Sequence, residues 1–425
     1  MLNNKKLRIA IISYCWLPTN APNVQRVYGW VRYWQREGID IHVFSAEPQF
    51  FDPAAGCSLN DIPGVPVTFI PYPEENGRFL FIANYFFGLN TLSKISQLFE
   101  RYFRISPDMR RQWGEGFLIE NEINSDNFDV VVSTFPPAAS HFLAKRAKES
   151  DPKLFWVADF RDLWSRVPGK LARFWRRKLA KKERETLKNY ADLITVATSD
   201  MLSEVKGGSA EIITVPNGFM DDKKEIIDCT DCIKTPSNPF RVCYTGRIYE
   251  DFQDPSPFLD AVANTLEKGL INEGEIIVDF YGENLSIIEE YKKNNHYTSF
   301  IRCHSKVDRN ASLSAQRSSD LLLLLGPARK IPGAFTSKIY EYMVSGVPVL
   351  CIGEIDNSPL SEVMQETKIG VMLDGSDVSQ IEEIIMLTLS GGGVFDYFEP
   401  EIEKILQHSR ESSSLDLLGE IQKRL

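Results

Sequence analysis

Lys338 and Glu341 stand three residues apart in Thr336-Ser337-Lys338-Ile339-Tyr340-Glu341-Tyr342. On a helix that spacing projects an ammonium and a carboxylate from one face. Thr336 or Ser337 places a hydroxyl where such a helix would begin, able to accept from a backbone N–H that has no partner in the first turn. A lysine beside a helix start makes an anion site, and a carboxylate next to it accepts from hydroxyls. The pair suits a ligand with phosphates at one end and hydroxyls beside them, although a capped surface helix with an ion pair is spelled the same way. Gly346 then turns the chain into the apolar strand Val347–Ile352. A second cluster, Asp159-Phe160-Arg161-Asp162, closes the apolar run Leu154–Asp159. Two acids and an arginine at the carboxyl end of a parallel strand lie where open α/β sheets bind ligands, and the same residues can form a plain Arg–Asp loop clamp.

The elements that would position these residues follow from periodicity. Arg8–Tyr14 is an apolar run bounded by a loop with Pro18 and Pro22, as expected of a buried parallel strand. A helix over about Val24–Glu37, stopped by Gly38, leads to a strand at Ile39–Phe44. This β-loop-α-β unit opens a Rossmann-like domain, yet it lacks G-x-G-x-x-G, so nothing marks a dinucleotide site. Residues 46–80 are loop-rich, with Pro48, Pro53, Pro63, Pro66, Pro71 and Pro73. Strands at Phe128–Ser133, Leu154–Asp159, Leu193–Ala197 and Glu211–Val215, with a helix over Ala138–Ala147, complete a first sheet. A polar linker at 221–239 follows, and the pattern restarts with Phe240–Tyr244. Further strands are expected at Glu275–Tyr281, near Ile301, at Asp320–Leu325 and at Val347–Ile352, with helices over Pro257–Lys268, Ser358–Glu366 and Asp377–Leu389. Residues 400–425 read mostly as helix. The expectation is an α/β chain with Rossmann-like domains at 1–220 and 240–395 and a C-terminal helical segment at 396–425, binding its ligand in a cleft between the domains.

Composition narrows the classes. A chain of 425 residues is long for one core and suits two domains. A net charge of −10 argues against a nucleic-acid binder, whose footprint is basic. Seven scattered cysteines suit reduced thiols and a cytoplasmic setting. Cys229 and Cys232 form one C-x-x-C without a second pair, which leaves metal or redox use as the lesser reading, and His42, His141, His296, His304 and His408 show no ligand spacing. The apolar run Ile9–Ile12 is too short for a signal peptide, and the five leucines Leu321–Leu325 are a strand and not a membrane span. Two stretches stand apart. Residues 79–113 interleave aromatics such as Phe79, Tyr85 and Phe99 with Arg78, Lys94 and Arg101, and 170–190 is basic, with Arg173, Arg176, Arg177 and Lys178. Such segments either pack and solvate their own domain or meet an anionic membrane surface from the cytoplasmic side.

Taken in order, several motifs resemble one family. Pro18–Arg26 resembles a first loop in which a basic residue opens the first helix. Ser133–Pro137 and Asp159–Trp164 resemble the next two loops, and Ala191–Val196 with Val215–Gly218 the approach to the linker. Tyr244-Thr245-Gly246-Arg247, Ser337–Tyr342 and Ser345–Val349 resemble donor-binding motifs. The family is the GT-B glycosyltransferases, and within it the bacterial family-four-like retaining enzymes that build surface polysaccharides. The resemblance spans nearly the whole chain. It implies two Rossmann-like domains facing a central cleft, the first for the acceptor and the second for the donor, with the C-terminal helix returning to the first.

What the resemblance implies chemically is a hexosyl transfer from a UDP- or GDP-type nucleotide-diphosphate sugar to a lipid-linked or glycan acceptor, with no cofactor. Arg247 and Lys338 would hold the diphosphate, Arg by forking onto two oxygens and Lys as a point charge. Glu341 would accept from the ribose hydroxyls. Gly246, Gly333, Thr336, Ser337 and Gly346 would line the donor, and Arg26, His141, Asp159, Arg161 and Asp162 the acceptor side. Two positions depart from the pattern. Gly333 stands where the family often has a donor-sugar glutamate, and Arg247 lacks the usual lysine a turn later. A nucleotide-sugar 2-epimerase or a non-catalytic assembly subunit on the same fold would carry the same motifs.

Overall fold

The computed structural model describes residues 6–19, 22–50, 59, 62–71, 113–163, 181, 185, 187, 189–205, 208–220, 236–249, 252–283, 285–328, 332–355 and 358–425. The aromatic–basic stretch except Trp113, most of the basic stretch 170–190, and 221–235 of the expected linker lie outside the described residues. The chain divides into two compact units, one formed by 1–216 with 413–425 and the other by 217–412.

Among the described residues the first unit holds seven strands: β1 (Arg8–Ile12), β2 (Asp40–Ala46), β3 (Val67–Ile70), β4 (Val130–Phe135), β5 (Phe155–Phe160), β6 (Leu193–Val196) and β7 (Glu211–Thr214). All pair in parallel in the order β3-β2-β1-β4-β5-β6-β7. The central strands are continuous apolar runs because helices cover both of their faces, and Ile9 to Ile12 are fully buried. β3 falls inside the Pro-rich span that reads as loop. It sits at the sheet edge directly after Pro66, and Phe69 remains exposed, so its apolar signal is short and one-sided. The first helix, Pro22–Arg36, stacks Trp30 on Trp34 at 5.8 Å and stops where Gly38 takes φ +80°. Trp34 Nε1 donates to Ser414 O at 2.6 Å, Leu417 and Ile421 are fully buried, and Arg424 Nη2 pairs with Glu211 Oε2 at 2.6 Å. The C-terminal helix Arg410–Gln422 thus closes on the first unit across most of the sequence, as expected of it.

The second unit is built from β8 (Phe240–Thr245), β9 (Ile276–Tyr281), β10 (Ile301–His304), β11 (Leu321–Leu325), β12 (Val349–Gly353) and β13 (Gly370–Asp374). They form one parallel sheet in the order β10-β9-β8-β11-β12-β13. β11 is the five-leucine run. All five side chains are buried between two apolar layers, each contributing about 1.5–3 kcal/mol. The strand order reverses between β8 and β11, the crevice at whose carboxyl end such sheets bind ligands. Gly246 and Arg247 follow β8, and Lys338 lies in the connection from β11 to β12. Among the described residues no helix is long and apolar enough to cross a membrane.

Candidate functional site

Past the end of β8 the chain enters Gly246 at φ +105°, where Gly246 N donates to Tyr281 O at 2.7 Å. The side chain of Lys338 runs across this glycine. A Cβ on Gly246 would lie 2.5 Å from Lys338 Cε. Lys338 Nζ donates to Arg247 O at 3.1 Å and sits 5.1 Å from the Tyr244 ring centroid. Tyr244, itself fully buried, donates its hydroxyl to the same Arg247 O at 3.0 Å. An ammonium has three donors, and one carbonyl and an aromatic face leave it short of partners. Burial pushes Lys338 down to about 8, with Glu341 opposing. The Arg247 guanidinium is exposed and lies 5.4 Å from the Tyr249 ring centroid. No carboxylate pairs with Arg247 among the described residues. Lys338 thus brings a poorly neutralised ammonium to the carboxyl end of β8, and the exposed Arg247 guanidinium belongs to the same turn, an arrangement able to receive an anion.

The rest of the motif is arranged differently from its sequence reading. The helix it forms, Lys338–Tyr342, has only five residues, and the Ser337 side chain makes no capping bond. Ser337 already has helical dihedrals, so it lacks the extended conformation from which a cap hydroxyl reaches forward. Thr336 is buried and offers only its carbonyl, to Ile339 N at 3.4 Å. Any affinity for an anion here would thus rest on Lys338 and Arg247 rather than on a capped helix end. Glu341 is half-exposed, with Arg309 Nε 3.7 Å from its Oε1. Gly346, at φ +72°, shapes the turn into β12 at the far end of this helix from Lys338. Gly333, also at φ +72°, accepts from Phe335 N at 3.0 Å. A glutamate there would need the left-handed backbone that L residues avoid, which accounts for glycine at that position.

Residues the motifs do not advertise hold this geometry. Tyr342 OH accepts from Thr245 N at 3.1 Å, and buried Gln316 donates Nε2 to Thr245 Oγ1 at 2.9 Å. Buried Gln253 accepts from Tyr249 N at 3.0 Å and donates to Leu325 O at 2.7 Å, tying the loop that follows Arg247 to the end of β11. The sequence signal was a polar side chain where the pattern demands burial, and it is weak without the partner in view. Gly246→Ala is expected to displace the Lys338 ammonium and strain the backbone by about 1–3 kcal/mol. A lower melting temperature together with weaker nucleoside diphosphate affinity is the expected result. Loss of stability with unchanged affinity would mean that the lysine position does not matter.

In the first unit the expected acceptor-side residues divide into two groups. Arg26 and Asp159 are buried and bound to each other, with Nη2 to Oδ1 at 2.7 Å and Nε to Oδ2 at 3.1 Å. Thr134 and Thr195 donate hydroxyls to Asp159 at 2.7 and 2.6 Å. Arg26 donates on to Val215 O at 2.8 Å and Pro216 O at 3.1 Å. This is a saturated interior clamp joining the first helix, three strands and the chain after β7, and it leaves no open face for an acceptor. His141 is also fully buried. Its Nδ1 lies 2.7 Å from Ser133 Oγ, which accepts from Trp156 Nε1 at 2.8 Å. Burial pushes the imidazole down to about 3 against the opposing pull of Asp159, so it is neutral at physiological pH. Arg161 and Asp162 are partly buried just past the strand end, paired at 3.2 Å, and the buried Arg161 Nη1 has no hydrogen-bond partner among the described residues. Among the described residues no group of three or more His, Cys, Asp or Glu could hold a metal ion.

No protein-family model and no curated protein sequence matches the chain. Solved structures do. The chain is similar to the α,α-trehalose-6-phosphate synthase of Burkholderia multivorans, with TM-score 0.60 and 11% identity over 98% of this chain and 96% of that one. It is similar to a trehalose-6-phosphate synthase from E. coli bound with UDP-2-fluoro glucose, with TM-score 0.62 and 12% identity over 97% and 98%. It is also similar to the UDP-forming α,α-trehalose-phosphate synthase of Burkholderia xenovorans in complex with glucose-6-phosphate, with TM-score 0.62 and 11% identity over 98% and 100%. Identity this low speaks for the fold: two parallel-sheet α/β units of the GT-B type. It does not single out the family-four-like or surface-polysaccharide group.

Proposed function

We propose that this chain is a retaining glycosyltransferase that takes a hexosyl group from a UDP- or GDP-type nucleotide-diphosphate sugar. The observation that carries the reading is the Lys338 ammonium, laid across Gly246 onto the Arg247 carbonyl at the switch point of the second sheet, with the exposed Arg247 side chain on the same turn. In the reaction the bond from the anomeric carbon to the diphosphate breaks, and its electrons leave with the nucleoside diphosphate. The acceptor hydroxyl oxygen bonds to that carbon on the same face and passes its proton to the departing diphosphate oxygen. Negative charge on the leaving diphosphate grows toward the transition state, so the two cations stabilise it more than the ground state. Glu341 would accept from the ribose hydroxyls. His141 and Asp159 are buried, which leaves Arg161 and Asp162 as the acceptor-side residues within reach of solvent.

The acceptor in this reading is a lipid-linked or glycan hydroxyl of surface polysaccharide synthesis, presented to the first domain at the inner face of the membrane. The aromatic–basic composition of 79–113 and the basic run in 170–190 supply the attraction to anionic lipid. The complex of the Burkholderia xenovorans neighbour with glucose-6-phosphate favours a second reading, a small phosphorylated sugar as acceptor. A panel of UDP- and GDP-sugars is incubated with the full chain, with and without each acceptor class, and nucleoside diphosphate release is followed. Release that depends on a lipid-linked or glycan acceptor supports the first reading, and dependence on a sugar phosphate the second. Isomerised donor without acceptor would reassign the chain as an epimerase. Failure to bind any donor would reassign it as an assembly subunit.

A further inference from the structure

The helix Arg309–Ser318 carries no recognisable motif, yet one of its faces is tied to the motif helix Lys338–Tyr342, by Arg309 directly and by Gln316 through Thr245. Asp308 caps it by accepting from Ala311 N at 2.8 Å, which fixes where its first turn begins. Arg309 and Gln316 are seven residues apart, about two turns, so they share a face and are separated by about 10 Å along the axis. Gln316 is fully buried and reaches Thr245 Oγ1 at 2.9 Å, and Thr245 N donates to Tyr342 OH at 3.1 Å. Arg309 Nε lies 3.7 Å from Glu341 Oε1, one residue before Tyr342. Both side chains of that pair keep about a third of their surface exposed. A half-exposed ion pair of this length adds little to stability, about 0–1 kcal/mol. It also leaves carboxylate lone pairs available, since 3.7 Å is an ion-pair distance and not a hydrogen bond.

We propose that Arg309 is a positioning residue that holds the Glu341 carboxylate, by charge and by the rigid seat of its helix, in the orientation that reads the ribose hydroxyls of the donor. This rests on the nucleotide-sugar reading and extends it to ribose selectivity. A carboxylate on a short surface helix samples several rotamers, and a vicinal diol is recognised only by the one that faces it. The arginine restricts that choice, and the buried Gln316 keeps the arginine from drifting with its helix. The energetic consequence appears only with ligands that carry the hydroxyls.

The test is calorimetric titration of the full chain with UDP and GDP and with their 2′-deoxy counterparts. The wild type is expected to favour the ribonucleotide it binds by about tenfold or more over its deoxy form, as a site built to hydrogen-bond a hydroxyl does. Arg309→Ala is expected to bring that ratio close to one while deoxy affinity changes by less than about threefold, with Arg309→Lys restoring part of the preference. An Arg309→Ala variant that weakens ribo and deoxy forms equally would overturn the inference in favour of simple attraction to the diphosphate. A variant that keeps the wild-type ratio would overturn it in favour of a solvated pair. If the wild type binds no nucleoside diphosphate, the nucleotide-sugar reading itself fails, which the wild-type titration alone reveals. Unfolding midpoints for each variant separate these outcomes from misfolding.

Discussion

Lys338→Ala is expected to lower sugar transfer by about a hundredfold or more while leaving the folded chain as stable as before, or slightly more so. The two halves of this expectation have one cause. The Lys338 ammonium is only partly compensated by Arg247 O and the Tyr244 ring, and burial holds it down to about 8. Below about 8 it is charged in folded and unfolded chains alike, and the folded chain bears the full desolvation cost. Between about 8 and the ordinary lysine value of 10.5 the unfolded chain holds more protons, so that cost is relieved and this residue's contribution to stability rises with pH. Alanine removes the cost altogether. Function runs the other way, because the charge that burdens folding is the one that meets the leaving diphosphate. Affinity of the free enzyme for UDP or GDP is accordingly expected to fall as pH rises through about 8, with binding above that pH taking up a proton. Titrations in buffers of different ionisation enthalpy measure that uptake. A Lys338→Ala variant with wild-type turnover, or an affinity flat from pH 7 to about 9.5, would remove Lys338 from the site.

Much of this architecture is spelled by local pattern. Buried parallel strands such as β1 and β11 are apolar runs whatever surrounds them, so their number and the repeat of two α/β halves follow from the sequence. β3 and β13 do not: both are short, partly exposed edge strands, and although the edge strands β7 and β10 could still be read, β3 is hidden among prolines and β13 lies between Gly370 and Gly375. The site shows the same division. Lys338 could be singled out from its spacing to Glu341, whereas Gly246 and Arg247 could be named only through the motifs' resemblance to a known family. The helix Arg309–Ser318 could not, because Gln316 acquires a role only when Thr245 and Tyr342 are brought to it through space. The acceptor side misled for the opposite reason. Asp159 lies inside β5 and Arg161 just past its end at Phe160, and sequence does not show where a strand stops between two charged residues two positions apart. The interior took Asp159, so its chemistry is spent on folding.

That clamp yields the largest expected effect on stability. Arg26→Ala would leave Asp159 buried with two threonine hydroxyls and no counter-charge, and Asp159→Ala would leave a buried guanidinium without its carboxylate. Either is expected to cost about 3–5 kcal/mol, a large fraction of the ~5–15 kcal/mol that holds a typical folded protein together. Denaturant unfolding of the full chain measures it. Arg26→Met with Asp159→Leu removes both charges at similar volume, and the double variant is expected to be more stable than either alanine single, since neither leaves an unpaired ion behind. The alternative is that these residues recognise the acceptor. In that case the single variants would keep their unfolding midpoints and raise the acceptor KM, and the double variant would be as inactive as the singles. Both side chains are sealed from solvent, and the carboxylate already accepts from an arginine and two hydroxyls. An acceptor could reach Asp159 only by displacing Thr134 or Thr195 from the sheet interior, so stability, and not KM, is where the substitutions should register.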